Sequence, residues 1–165
     1  GGGLDPEIFL QRLLKKPHSY WTRRYSADQP IPLLAVTAHM ACLTNRYAGS
    51  GGDLLPYEFQ LNQMGPVIGT RTWGGLVGVS MFIELLDGSG LTAPDYRIYN
   101  KEGEWVVENE GVVPDIVLEQ NSVDLSNGKD TQLMKAVEVL MEKIKEDPPS
   151  MPEHEPFPVD HRTTH

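Results

Sequence analysis

Residues 44–59 read TNRYAGSGGDLLPYEF. An apolar, partly β-branched run, LLAVTAHMACLT at 33–44, leads into them, and apolar residues at helical spacing follow. The pattern predicts a buried strand over 33–44 and a helix over 52–63 that carries Leu54, Leu55, Phe59 and Leu61. Pro56 is tolerated there because it lies in the first turns. Between the two elements lies a cluster of small residues, with Ser50 flanked by Gly49 and Gly51. This cluster is the junction between the two elements. It also leaves two uses for Ser50. The hydroxyl can cap the helix. Alternatively it is presented to a substrate, because a helix N-terminus offers unpaired N–H groups and partial positive charge to a developing oxyanion. Glycine neighbours let a peptide backbone approach closely. Gly-Ser-Gly-Gly is also common loop chemistry, so the local pattern leaves both uses open.

Upstream, a first helix is expected over 5–16. Asp5 caps it, Pro6 suits its first turn, Glu7 favours its positive end, and Leu4, Ile8, Leu13 and Leu14 recur at helical spacing before Pro17 stops it. Residues 17–32 are polar, aromatic and proline-punctuated, and read as a loop. Downstream, GPVIGTRTW (65–73) is a short strand between glycines. Residues 75–100 hold two or three strands with a turn at DGSG, and 103–119 add a strand, a loop and a final short strand. A last helix over 130–146 starts at the capping Asp130 and turns Leu133, Val137, Leu140, Met141 and Ile144 to one face. Asp147, Pro148 and Pro149 end it. The expected organisation is one core, 1–147, and a Pro/His/Glu-rich tail, 148–165, that is disordered or hugs the surface.

A chain of 165 residues can bury one real core. Its apolar runs are short and interrupted, so no segment reads as a membrane-spanning helix. The formal net charge of −9, with no Lys/Arg block longer than a pair, argues against non-specific nucleic-acid binding. The single cysteine, Cys42, excludes an intrachain disulfide and a multi-cysteine zinc site, and reads as a small buried hydrophobe. His154, His161 and His165 share the tail, but their spacings match no standard metal site. The chain has no initiator Met and opens inside a glycine run, which reads as a fragment or a processed product. The N-terminus shows no basic start and no apolar core of a signal peptide, and the compartment stays open.

Two enzymatic templates fit poorly. The G-x-S-x-G nucleophile elbow needs glycine where Ala48 stands, and its triad would have to be filled by an acid such as Asp115 and by His154 of the tail. A phosphate-binding loop needs Lys-Ser/Thr after the glycines, and none follows.

Longer matches say more. The run 43–80, LTNRYAGSGGDLLPYEFQLNQMGPVIGTRTWGGLVGVS, resembles the catalytic core of tricorn-type peptidases, within the tail-specific (C-terminal-processing) serine peptidases. That core carries a motif close to T-N-E-Y-A-G-S-D-G-D, a helix, and then G-x-x-I-G-x-R-T-W-G-G. LLDGSGLTAPDYRIYN (85–100), VVENEGVVPDIVLEQ (106–120) and GKDTQLMKAVEVL (128–140) resemble further family segments in the same order. The resemblance implies an α/β fold of the crotonase/Clp-like kind, a mixed sheet covered by helices 5–16, 52–63 and 130–146. It implies serine peptidase activity on peptides, without metal or organic cofactor. Ser50 matches the nucleophile and Glu108 the glutamate that orients a catalytic histidine through an intervening serine. Gly51 and Gly3 match the two oxyanion-hole donors, Gly3 as the end of an N-G-G-G turn, and Tyr20 matches a later family tyrosine. Relatives suggest homo-oligomers, hexamers in the cytoplasm, although bacterial ones can be exported.

The chain departs from the pattern in several places. The family histidine and its serine lie upstream of the glycine turn, so the catalytic set is incomplete within these residues and the chain by itself is expected to be inactive. His39 and His18 correspond to no catalytic position. Arg46 stands where the family usually has Glu, and Gly51 where it commonly has Asp. Near Trp21 and Thr22 the acidic residue that recognises basic substrates has no clear equivalent. The alternative from another class is a non-catalytic peptide-binding or assembly module of the same fold.

Overall fold

The computed structural model describes residues 1–3 and 5–158. Helix α1 (Asp5–Leu13) is followed by strands β1 (Ser19–Arg23), β2 (Ser26–Ile31) and β3 (Cys42–Thr44), then helix α2 (Gly51–Leu61). Strands β4 (Val67–Gly69), β5 (Val77–Gly78), β6 (Met81–Glu84), β7 (Gly90–Ala93), β8 (Tyr96–Arg97) and β9 (Ile116–Val117) come next. Helices α3 (Ser122–Ser126) and α4 (Thr131–Glu146) follow. The centre is a parallel sheet in the order β3-β4-β9, with Leu43 opposite Ile68 and Ile68 opposite Ile116. Three antiparallel pairs, β1-β2, β5-β8 and β6-β7, surround it. The architecture is therefore mixed α/β, as expected.

Parallel strands need crossover connections, and α2 supplies the one from β3 to β4. Its apolar side meets α1 and the sheet. Leu10, Cys42, Phe59 and Val67 form the core, with Leu13, Met40, Leu55 and Met64 packed around them. Across the sheet, the Gln132 amide of α4 donates to the carbonyls of Thr44 (2.6 Å) and Ile68 (2.8 Å). A side chain thereby ties the helix to two strands. Asp130 caps α4 by accepting from the Leu133 N–H at 2.9 Å, as its position predicts.

Five expectations need correction. Over 75–119 the strand count differs: residues 75–100 hold four short strands, β5 to β8, rather than two or three, and 103–119 hold one, β9, rather than two. Only Cys42–Thr44 of the 33–44 run is strand. The backbone before it is used elsewhere: Ala35 closes a turn on Pro32, and the Val36 N–H is bound to Lys15 at the end of α1. Leu33 and Leu34 consequently stay exposed. Residues 19–31 form a hairpin rather than a loop, with Tyr20 paired to Pro30. A proline without an N–H fits an edge strand such as β2, so it did not forbid pairing. Asp5 lies inside the first turn of α1 instead of capping it, and α1 ends at Leu13. Leu133, Val137, Met141 and Ile144 of α4 are exposed, and Ala136 is the buried residue of that helix.

From Asp147 to Pro158 the chain has no regular secondary structure. It lies along the β1-β2 hairpin, where His154 Nε2 is 3.0 Å from Thr22 Oγ1 and Arg24 stacks on Phe157. Leu4, His161 and His165 lie outside the described residues.

Candidate active site

Ser50 occupies the position before the first turn of α2, with φ 56° and ψ −119°. Positive φ is costly for a residue with a Cβ. The cap explanation does not account for it, because the Ser50 side chain makes no capping bond. What holds the backbone there is the turn itself. Gly52 donates to the Gly49 carbonyl, and Asp53 and Leu54 both donate to the Ser50 carbonyl.

The glycines at 1–3 lie against this turn. A Cβ built on Gly51 would stand 2.8 Å from the Gly2 carbonyl carbon and from the Gly3 carbonyl oxygen. Those neighbours are backbone and cannot swing away, so glycine at 51 is what permits the approach. Gly3 itself has φ 54°. Among the described residues, neither the Gly3 N–H nor the Gly51 N–H donates a backbone hydrogen bond. Gly3, Ser50 and Leu54 line one cavity of about 220 Å³, together with Glu7, Tyr96 and Arg97. Two of the expected site residues, Gly3 and Ser50, thus face the same space, and Gly51 abuts the turn that contributes Gly3.

The loop that carries Glu108 is tied to the first turn of α2 through a relay of hydrogen bonds. The buried Asp53 carboxylate in the first turn of α2 accepts the Gly74 N–H at 2.8 Å and the Gly75 N–H at 3.0 Å. Gly74 in turn accepts the Asn109 N–H at 2.8 Å, and Thr72 pairs with Val112 in both directions. The 72–75 loop therefore carries the 107–112 loop. Val107 (φ 70°) and Asn109 (φ 66°) flank Glu108, and a β-branched residue at positive φ is an outlier that surrounding bonds must enforce. Glu108 is half-buried and lines a second cavity, about 250 Å³, that shares Val77, Tyr96 and Arg97 with the first. Its Oε2 stands 2.7 Å from Arg97 Nε. That oxygen is buried and, among the described residues, receives no hydrogen bond of good geometry. The short distance describes a charge contact lying off the N–H axis.

The other candidates fall elsewhere. His39 Nε2 donates to the Asp147 carbonyl at 2.7 Å, His18 Nδ1 is 2.9 Å from its neighbour Ser19, and His154 is on the hairpin. Among the described residues, no histidine lines the Ser50 cavity. Arg46 pairs with Glu119 on the surface. Burial raises Glu58 from its ordinary value, and the nearby charge of Glu7 adds to the rise. Burial also pushes the Cys42 thiol up to about 11, which keeps it protonated and inert. Asp53 and Arg97 were missed as site residues. Asp53 ends the quoted motif and is a charged residue in an otherwise apolar helix start, which was its available signal. Arg97 gave none, since its contacts are distant in sequence.

Residues 1–118 match the profile described as Peptidase family S41. The tricorn protease of Thermoplasma volcanium is 37% identical over 145 residues, covering 88% of this chain and 14% of the relative. A crystal structure of the tricorn protease superposes with a TM-score of 0.80 at 36% identity, again over 88% of this chain and 14% of that one. The photosystem II D1 C-terminal processing protease shares the fold, with a TM-score of 0.50 at 24% identity over 72% of this chain and 32% of that one. The chain spans about 14% of the length of the tricorn relatives it matches.

Proposed function

This chain belongs to peptidase family S41, and on that footing we propose that it forms the nucleophile-bearing core of a serine endopeptidase acting on peptides. The observation that carries the reading is Ser50, held at φ 56° at the start of α2 and facing a cavity that it shares with Gly3. Ser50 Oγ attacks the scissile carbonyl. A histidine outside the described residues takes the hydroxyl proton and passes it to the leaving amine, and water then hydrolyses the acyl-enzyme with the same base. The Gly3 and Gly51 N–H groups receive the oxyanion, at about 3 kcal/mol per donor. Glu108 orients the base through an intervening serine. The chemistry uses side chains and backbone donors alone and calls for no metal or organic cofactor. The fold that suits it is crotonase/Clp-like, with 1–147 as the core, 148–165 as an accessory tail, and a homo-oligomer as the working form.

A fluorophosphonate probe tests the assignment on the protein expressed from its whole reading frame. Ser50→Ala is expected to abolish labelling. Glu108→Gln, nearly isosteric, should keep the fold and slow labelling about tenfold or more, while Glu110→Gln, on the exposed side of the same turn, should change it little. Damage from Glu110→Gln with a silent Glu108→Gln would put the 106–115 assignment out of register. If Ser50 never labels, a non-catalytic peptide-binding module replaces the peptidase.

A further inference from the structure

We propose that Arg97 is the positioning residue for Glu108, anchoring one carboxylate oxygen so that the other is left to serve the base of Ser50. The inference rests on the peptidase reading above and adds a residue to it. Arg97 lies in β8 opposite Val77 of β5, which fixes its backbone. Its guanidinium is held on two sides. Nε stands 2.7 Å from Glu108 Oε2, and Cζ sits 4.0 Å above the centre of the Trp105 ring. Trp105 is itself braced edge-on by Tyr99, at 5.9 Å between ring centres. Arginine suits this place because its planar, permanently charged group can stack on one partner and face a carboxylate with its edge.

The burial pattern says why the contact matters. Glu108 Oε2 is closed off from solvent, and a buried carboxylate oxygen is costly unless a charge or donor faces it. Arg97 supplies that charge. Whatever exposure the Glu108 side chain retains, 21%, therefore belongs to the rest of the group, and Oε1 is the oxygen left to accept a proton-relay partner. Arg97 is also the one charged residue common to the Ser50 cavity and the Glu108 cavity. The backbone of Glu108 is fixed independently, through Asn109, Gly74 and Asp53. Removing Arg97 should accordingly release the carboxylate while leaving the loop in place.

The test uses peptide turnover by the protein from its whole reading frame, with Ser50→Ala as the control. Arg97→Gln is expected to lower kcat about tenfold or more with KM within about twofold, since misorienting a relay costs rate rather than binding. Arg97→Lys should recover part of the loss, because it restores the charge but not the stacked plane. Adding Arg97→Gln to Glu108→Gln should cost less than about twofold further, as expected of residues acting in one unit. A raised KM at unchanged kcat would mean that Arg97 touches substrate and would overturn the proposal. So would a lowered thermal midpoint with kcat intact, which marks a purely structural ion pair, or an additive double variant. Turnover that Ser50→Ala does not reduce would instead remove the peptidase reading, and this role with it. Ser50-dependent turnover indifferent to Arg97 would remove this role alone.

Discussion

Ser50 is held where a serine pays for its Cβ, at about 1–3 kcal/mol for such a backbone, and its hydroxyl gains no capping bond in return. Strain without a local gain is the mark of a residue kept for its position. Val107 and Asn109 around Glu108 also stand at positive φ, and there backbone bonds from Glu110, Gly111 and Asn109 hold the turn. Cys42 is the opposite case, a residue whose chemistry is switched off by packing. It is 7% exposed, and burial raises its thiol from 9.0 to about 11. The folded chain then binds the thiol proton more tightly than the unfolded chain between those values. The resulting stability is complete below pH 9 and is lost as pH rises through 9 to 11, by about 3 kcal/mol at most. Denaturant midpoints at pH 8 and pH 10.5 check this. Wild type should lose more stability across that interval than Cys42→Ala, whose other titrating groups are the same. Equal losses would show that the thiol is solvated.

At the scale of elements, what the sequence made legible follows from locality. Helices α2 and α4 and the short strand β4 were readable because their signals sit within a few residues: Asp130 caps α4 directly, and glycines bound β4. The β1-β2 hairpin was hidden by Pro30 and Pro32, which mimic a loop although an edge strand tolerates them. The 33–41 run looked like strand because periodicity cannot report that its N–H groups are taken by Lys15 and Pro32. Arg97 and Asp53 depend on partners 11 and 21 residues away in sequence, which spacing alone does not announce. The tail is readable only as polar and proline-rich. Its contacts with the hairpin, His154 on Thr22 and Phe157 under Arg24, are at the surface. An exposed cation–π contact is worth about 0.5–1 kcal/mol. Truncation after Pro149 should therefore lower the thermal midpoint by no more than about 2–4 °C. A larger fall would mean that the segment from 150 onward is part of the core.

For the whole molecule, surface is the telling quantity. The chain exposes 12366 Å² at 18.4 kDa, whereas a closed monomer of that mass exposes about 8,200 Å² by the usual size law. The excess is apolar in places. The β6-β7 hairpin presents Met81, Phe82, Ile83 and Leu91 to solvent, and α4 presents Leu133, Val137 and Met141. Such faces are apolar surface beyond what a closed monomer of this mass usually leaves to solvent. On the proposed function Ser50 would be the nucleophile, Gly3 and Gly51 the oxyanion donors and Glu108 with Arg97 the orienting arm, whereas no described histidine lines the cavity. Without a base the serine hydroxyl is a weak nucleophile, and loss of a triad base costs several orders of magnitude in kcat. The 165-residue chain assayed by itself on fluorogenic peptides should therefore turn over at the rate of its own Ser50→Ala variant. The protein from the whole reading frame should exceed its Ser50→Ala variant by about a thousandfold or more. Substantial Ser50-dependent turnover by the 165 residues alone would place a base within them, and His161 and His165 would be the first to replace.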